Sequence, residues 1–162
     1  MSNTKKEIFI FVFLLTCIII AFVLLYCRFY KTDGTSMEPT ITDNNRVLMI
    51  KNREINRGDI IVFKTDSKDA IKRVIASPGD KVEITKDGIV KVNDEEIKEE
   101  YARGITEPKE QRYPITLKQD RYFVLGDNRE DSLDSRFLSV GTIKKENIVG
   151  KVVMSVYPPK IL

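Results

Sequence analysis

Histidine is absent from this 162-residue chain. Catalytic arrangements built on Ser-His-Asp or Cys-His are therefore excluded, as is any metal site held by imidazole. Cysteine occurs only as Cys17 and Cys27, both inside one apolar run. The rest of the chain can form no disulfide, no thiolate zinc site and no redox pair, so it can fold outside a cell without oxidation. Charge of one sign is also missing. With 27 basic and 24 acidic residues the net charge is +3, which gives no argument for nucleic acid as a partner. There is no internal repeat, no low-complexity tract and no long helical pattern beyond the N-terminal segment.

That segment is what stands out first. Ile8 to Cys27 holds neither a charge nor a Pro or Gly. At 1.5 Å per residue such a helix spans about 30 Å, one hydrocarbon core. The run is too long for the apolar region of a signal peptide, and Leu25-Tyr26-Cys27-Arg28-Phe29-Tyr30 offers no small-x-small cleavage site. The expectation is an uncleaved membrane anchor at 8–27, with Tyr26, Phe29 and Tyr30 at the interface. Lys5 and Lys6 on one side and Arg28 and Lys31 on the other leave the orientation balanced on charge alone.

Beyond the anchor the sequence turns to short β-rich runs between turns. Val47–Ile50, Ile60–Phe63, Ala70–Ala76, Val82–Ile84, Ile89–Val92, Tyr122–Leu125 and Ile148–Met154 read as strands. Ile60–Phe63 is apolar on both faces and is expected to be buried. Lys86-Asp87-Gly88 marks a hairpin. Asn93–Arg121 reads as loop with an irregular strand piece, Gly126–Arg136 as a polar loop, and Pro158-Pro159 as the stop of the last strand. The expected fold is mainly β: a closed or folded-over antiparallel sheet behind one transmembrane helix.

Two residues invite a chemical reading. Ser36 lies between Gly34 and Pro39, on a chain that is expected to bend, nine residues after Cys27 and thus within about 30 Å of the membrane. Without histidine, a serine nucleophile needs another base. A lysine qualifies only if its pKa falls by roughly 3 units, which desolvation can achieve. Lys72, in Ala70-Ile71-Lys72-Arg73-Val74-Ile75-Ala76, has small or apolar face-mates by strand alternation. Read alone, the same strand also admits a lysine whose amine reaches out at a sheet edge. The loop Gly126–Arg136 packs two serines, three aspartates and two arginines into eleven residues; turn chemistry does not require that density.

Taken together, these stretches resemble the type I signal peptidases in their compact Gram-positive form. Ser36-Met37-Glu38-Pro39-Thr40 is similar to the family's nucleophile motif. Arg57-Gly58-Asp59-Ile60-Ile61-Val62-Phe63 is similar to its Gly-Asp strand, and Lys72–Asp80 to its lysine motif. Gly126-Asp127-Asn128 with Ser132, Asp134, Ser135 and Arg136 is similar to its last motif.

The resemblance implies a barrel-like antiparallel catalytic domain at 28–162 with a small β insertion at about 80–121. Residues 1–7 would be cytoplasmic and the domain extracytoplasmic. It implies a membrane-bound serine endopeptidase that removes signal peptides from exported preproteins after Ala-x-Ala, without metal or cofactor. Ser36 would be the nucleophile and Lys72 the general base. Ser132 would hydrogen-bond Lys72, and Arg73, Asp134 and Arg136 would form an ion-pair network beside them. Met37, Ile41 and Ile71 are candidates for the substrate-pocket walls.

One departure concerns the oxyanion hole. Some members carry a hydroxyl residue two positions before the nucleophile, where this chain has Gly34. The Ser36 N–H could supply one donor; Thr35, a Gly34 backbone group or water remain for the second. Two other readings compete. A self-cleaving repressor would share the chemistry but carries a DNA-binding domain and no anchor. A non-catalytic, membrane-anchored β domain that binds peptides would be indifferent to loss of Ser36.

Overall fold

A computed structural model describes residues 3–51, 54–66, 68–156 and 159–162. Helix α1 (Asn3–Tyr26) is apolar around its whole circumference and almost fully exposed, as a helix meant for lipid would be. It ends one residue before the expected boundary. Cys27 already belongs to strand β1 (Cys27–Lys31), which follows without a linker. The sequence pattern marks no strand there, because Arg28 and Lys31 break the apolar alternation.

The strands continue in order: β2 (Arg46–Ile50), β3 (Ile60–Lys64), β4 (Asp69–Ala76), β5 (Lys81–Ile84), β6 (Val90–Val92), β7 (Glu95–Glu96), β8 (Ile115–Thr116), β9 (Arg121–Leu125), β10 (Ile143–Lys144), β11 (Ile148–Val156) and β12 (Pro159–Ile161). Every strand expected from the sequence is present within two residues of its reading at each end. The exception to the expected pattern is the stop. Pro158 lies outside the described residues, but Pro159 opens β12, which pairs back onto β11 through Val156↔Pro159. A proline is tolerated there because β12 is an edge strand and its first residue need not donate.

The main sheet runs β1-β2-β11-β3-β4-β9-β10, with β12 on β11, and every pairing is antiparallel. It curls rather than closes. Three strands separate β1 from β4 in the sheet, yet Tyr30 of β1 comes close enough to Asp69 of β4 for the carboxylate to add to burial in raising the tyrosine pKa. Asp33, just past β1, pairs with Lys68 at 3.0 Å. The folded-over alternative is therefore the one realised, with a cleft left between the β1 end and β4.

Strand β3 explains why the sheet curls around two cores. Ile60 and Val62 enter one cluster with Met37, Ile41, Val47, Met49 and Val152. Ile61 and Phe63 enter the other with Val74, Tyr122, Val124 and Ile143. The period-2 alternation of a strand sends its apolar side chains both ways, so a run apolar on both faces belongs between two cores. A second sheet, β7-β6-β5-β8, falls within the expected insertion. Its core is shared: Val82, Ile84, Val90 and Val92 pack with Ile75, Ala76, Phe123 and Leu125 of the main sheet.

Phe63 is 1% exposed at the centre of this arrangement. Phe63→Ala is expected to destabilise the domain by about 3–5 kcal/mol, while the exposed neighbour Lys64→Ala stays within about 0.5. Denaturant melts of the full chain in detergent measure both.

Candidate active site

Ser36 and Lys72 are 36 residues apart in sequence and meet in the structure. Lys72 Nζ lies 2.7 Å from Ser36 Oγ and also donates to the Ile71 carbonyl at 3.1 Å. The lysine is only 5% exposed. Its position follows from strand register: Lys72 pairs with Ile61 and shares a face with Val74, both fully buried in the same cluster. Of the two local readings, the edge lysine reaching solvent is therefore the one the structure overturns.

Burial lowers the Lys72 pKa from 10.5 to about 8. Removal from water outweighs Asp134, Asp127 and Asp131, which favour the charged form, and Lys68 adds a small push in the same direction as burial. A neutral amine at 2.7 Å from a hydroxyl can accept its proton. The pair thus has the geometry and the basicity for nucleophilic chemistry.

The turn that carries Ser36 is tied down on several sides. Glu38 N–H donates to the Thr35 carbonyl at 3.0 Å and Ile41 N–H to the Met37 carbonyl at 2.9 Å. Asn128 holds it from the opposite loop, through its backbone N–H to the Ser36 carbonyl at 3.1 Å and its side-chain amide to the Thr35 carbonyl at 3.2 Å. Gly126 lies directly beneath: a methyl group there would overlap Ser132 Oγ and the Ser36 carbonyl. This position is glycine because the two segments approach too closely for any Cβ.

The remaining expected residues are placed as follows. Arg73 forms a paired contact with Asp127, Nε at 2.8 Å and Nη2 at 2.6 Å, and stacks on Tyr101 with Cζ 4.0 Å from the ring centre. Arg136 pairs with Asp134 at 2.8 and 2.9 Å, both wholly buried. These are two separate ion pairs rather than one network, because Arg73 takes Asp127 instead of Asp134. Ser132 does not hydrogen-bond Lys72. Its hydroxyl is buried against Gly126 without a partner among the described residues, and the Lys72 amine is directed to Ser36 and Ile71.

The candidates for a second oxyanion donor are narrowed. Gly34 has φ +101° and gives its N–H to Asp43 Oδ1 at 2.8 Å. The Thr35 hydroxyl donates to Asp131. Both are engaged, whereas the Ser36 N–H has no acceptor among the described residues.

Met37, Ile41 and Ile71 come together along a cleft of about 740 Å³ that also exposes Ser36 and Lys72. Met37 and Ile41 are rooted in the core, at 4% and 1% exposure.

Asp127, Asn128 and Asp131 lie in the polar loop 126–136, where the sequence alone assigns them no role; their partners lie 54 to 96 residues away. Arg129 is also buried, bonded to Glu99 and Thr106 of the inserted segment. Among the described residues no cluster of acidic or cysteine side chains could hold a metal.

This geometry has relatives. The family model described as signal peptidase, peptidase S26, matches residues 5–157. The chain belongs to the signal peptidase S26 family. It is 30% identical over 177 residues to signal peptidase I of Bacillus licheniformis, covering 97% of this chain and 92% of that one. It is 35% identical over 182 residues to signal peptidase IB of Staphylococcus aureus strain COL, covering 95% and 92%. A crystal structure of a signal peptidase I from Enterococcus faecalis V583 superposes with a TM-score of 0.51 at 29% identity, over 61% of this chain and 97% of that one. The chain is a type I signal peptidase, a serine peptidase, and its N-terminal apolar helix fits a membrane anchor.

Lowering the Lys72 pKa by burial works against the stability of this signal peptidase. Between pH of about 8 and 10.5 the unfolded chain keeps a proton that the fold has released, so stability rises with pH across that window. Below about 8 the whole penalty applies, roughly 3 kcal/mol. Lys72→Met, which cannot charge, is expected to be at least as stable as the parent at pH 7, with the gain shrinking towards pH 10.5. Thermal melts at the two pH values check this. A clearly destabilised Lys72→Met at pH 7 would mean a charged lysine in an ion pair.

Proposed function

We propose that this signal peptidase uses a Ser36–Lys72 dyad to cleave exported preproteins after small residues. The observation that carries the reading is the buried, 2.7 Å contact between Lys72 Nζ and Ser36 Oγ. Ser36 Oγ attacks the scissile carbonyl as neutral Lys72 takes its proton. The Ser36 N–H donates to the developing oxyanion. When the C–N bond breaks, Lys72 returns the proton to the leaving amine, and then activates water to release the acyl-enzyme. Ser132, Asp134, Arg136 and Arg73 support this site from behind, the last two through their ion pairs.

The substrate would lie extended beside β4. Strand β3 pairs along one edge of Asp69–Arg73, but β9 pairs only with Arg73–Ala76, so Asp69–Ile71 offers its other edge to the cleft. A peptide added there hydrogen-bonds through its main chain and presents alternate side chains to the same wall. With Met37, Ile41 and Ile71 forming that wall and two of them fixed in the core, the wall has little room to yield, which favours small side chains. Cleavage of a preprotein by the detergent-solubilised chain is expected to fall by at least about 10³-fold in Ser36→Ala and in Lys72→Ala. Substrates with Leu or Phe before the bond should resist cleavage. An active Ser36→Ala, or efficient cleavage after Leu, would overturn the dyad or the pocket respectively.

The same reading places the domain outside the cell and against the bilayer. Because α1 enters β1 directly, Phe29 stands three residues from the helix end. It heads a row of paired apolar side chains, Phe29, Leu48, Met154 and Ile161, across four strands. Phe29 is 65% and Ile161 85% exposed, and exposed Arg46 and Lys31 flank them. That face suits a lipid headgroup region. Protease added to intact, wall-stripped cells is expected to digest the domain. Digestion seen only in inverted vesicles would reverse the orientation.

A further inference from the structure

We propose that Asn128 is the positioning residue that aims the Ser36 N–H at the reacting carbonyl. This rests on Ser36 being the nucleophile. An N–H cannot be steered directly by the protein, but the carbonyl of the same peptide unit can. In a planar trans peptide the two point in opposite directions, so fixing one fixes the other. The Thr35–Ser36 peptide is held in this way: its carbonyl accepts from the Asn128 side-chain amide at 3.2 Å and from Glu38 N–H at 3.0 Å. The N–H on the far side is left without an acceptor among the described residues, on the turn that lines the cleft. The next peptide is held as well, by Asn128 N–H on the Ser36 carbonyl at 3.1 Å. One residue thus orients both peptide planes that flank the nucleophile.

Asn128 is itself fixed closely enough to do this. It is 9% exposed and forms a parallel bridge with Arg103 of the inserted segment. Arg103 N–H donates to the Asp127 carbonyl at 2.7 Å, and Arg129 N–H donates to the Arg103 carbonyl at 2.8 Å. Both chain neighbours of Asn128 are therefore anchored on the same segment, and Arg73 holds the Asp127 carboxylate. The weight on this single peptide N–H is large because the other nearby donors, Gly34 N–H and the Thr35 hydroxyl, are already engaged.

The test uses the full chain in detergent, with Asn128→Ala and the isosteric Asn128→Asp. Deleting an oxyanion donor outright costs about 10²–10³ in rate. Here Glu38 N–H still holds the Thr35 carbonyl, so kcat should fall about 10–100-fold with KM and the pH midpoint of kcat unchanged. Affinity for a peptide aldehyde, which adds to Ser36 as a tetrahedral adduct, should fall by the same factor. Affinity for the matching peptide amide should not change. If Asn128→Ala fails to fold, Asn128→Asp carries the measurement. Parental kcat in the folded variant, or an equal loss for aldehyde and amide, would overturn the proposal. An active Ser36→Ala would instead remove the nucleophile on which it rests.

Discussion

The contact between a desolvated lysine and a serine hydroxyl is the constraint around which this molecule is built. A lysine in water is protonated at neutral pH and useless as a base. In the proposed dyad Lys72 becomes usable only where water is excluded, and excluding water requires both cores. Strand β3 supplies the shared wall, β4 carries the lysine into it, and the turn at Ser36 closes over the amine. The stability lost on burying the amine must be made up by apolar packing elsewhere. This is consistent with the near-complete burial of Ile60–Phe63 directly beside the site.

Buried carboxylates next to such a lysine could defeat the arrangement by drawing its proton back. Asp134 and Asp127 do favour the charged form, yet burial remains the larger influence. Each of the two has a guanidinium of its own, Arg136 and Arg73 respectively. A carboxylate matched with an arginine presents less net field to a third group, and an arginine cannot give up its proton. The ion pairs therefore contribute in two ways: they satisfy charges that could not be buried singly, and they leave the lysine without a counter-ion. The inserted segment takes part through Glu99 and Tyr101, which contact Arg129 and Arg73. It is a buttress of the site as well as an appendage to the sheet.

The strands of both sheets were largely legible because half-buried strands leave an alternation, and β3 left a continuous apolar run. Strand β1 was not legible, since its side chains are mostly exposed and charged residues interrupt it. β12 was hidden by the proline that begins it. Lys72 stood out as the one lysine on an apolar strand in a chain without histidine, but its pairing with Ser36 came from the resemblance of their motifs to the family's. Their supporting partners could not be picked out. Nothing local to Arg73 says whether it will meet Asp127 or Asp134, and nothing local to Ser132 says that its hydroxyl turns towards Gly126. Such choices depend on how loops far apart in sequence settle against each other, and short motifs carry no record of that geometry.

The central claim is that its surroundings lower the Lys72 pKa far below that of an ordinary lysine, and its own titration tests this most directly. Lysine side chains labelled with carbon-13 can be followed by NMR in micelles, with the Lys72→Arg chain identifying the resonance. The account predicts a midpoint for Lys72 at about pH 8. A midpoint near the ordinary lysine value of about 10.4 would contradict it.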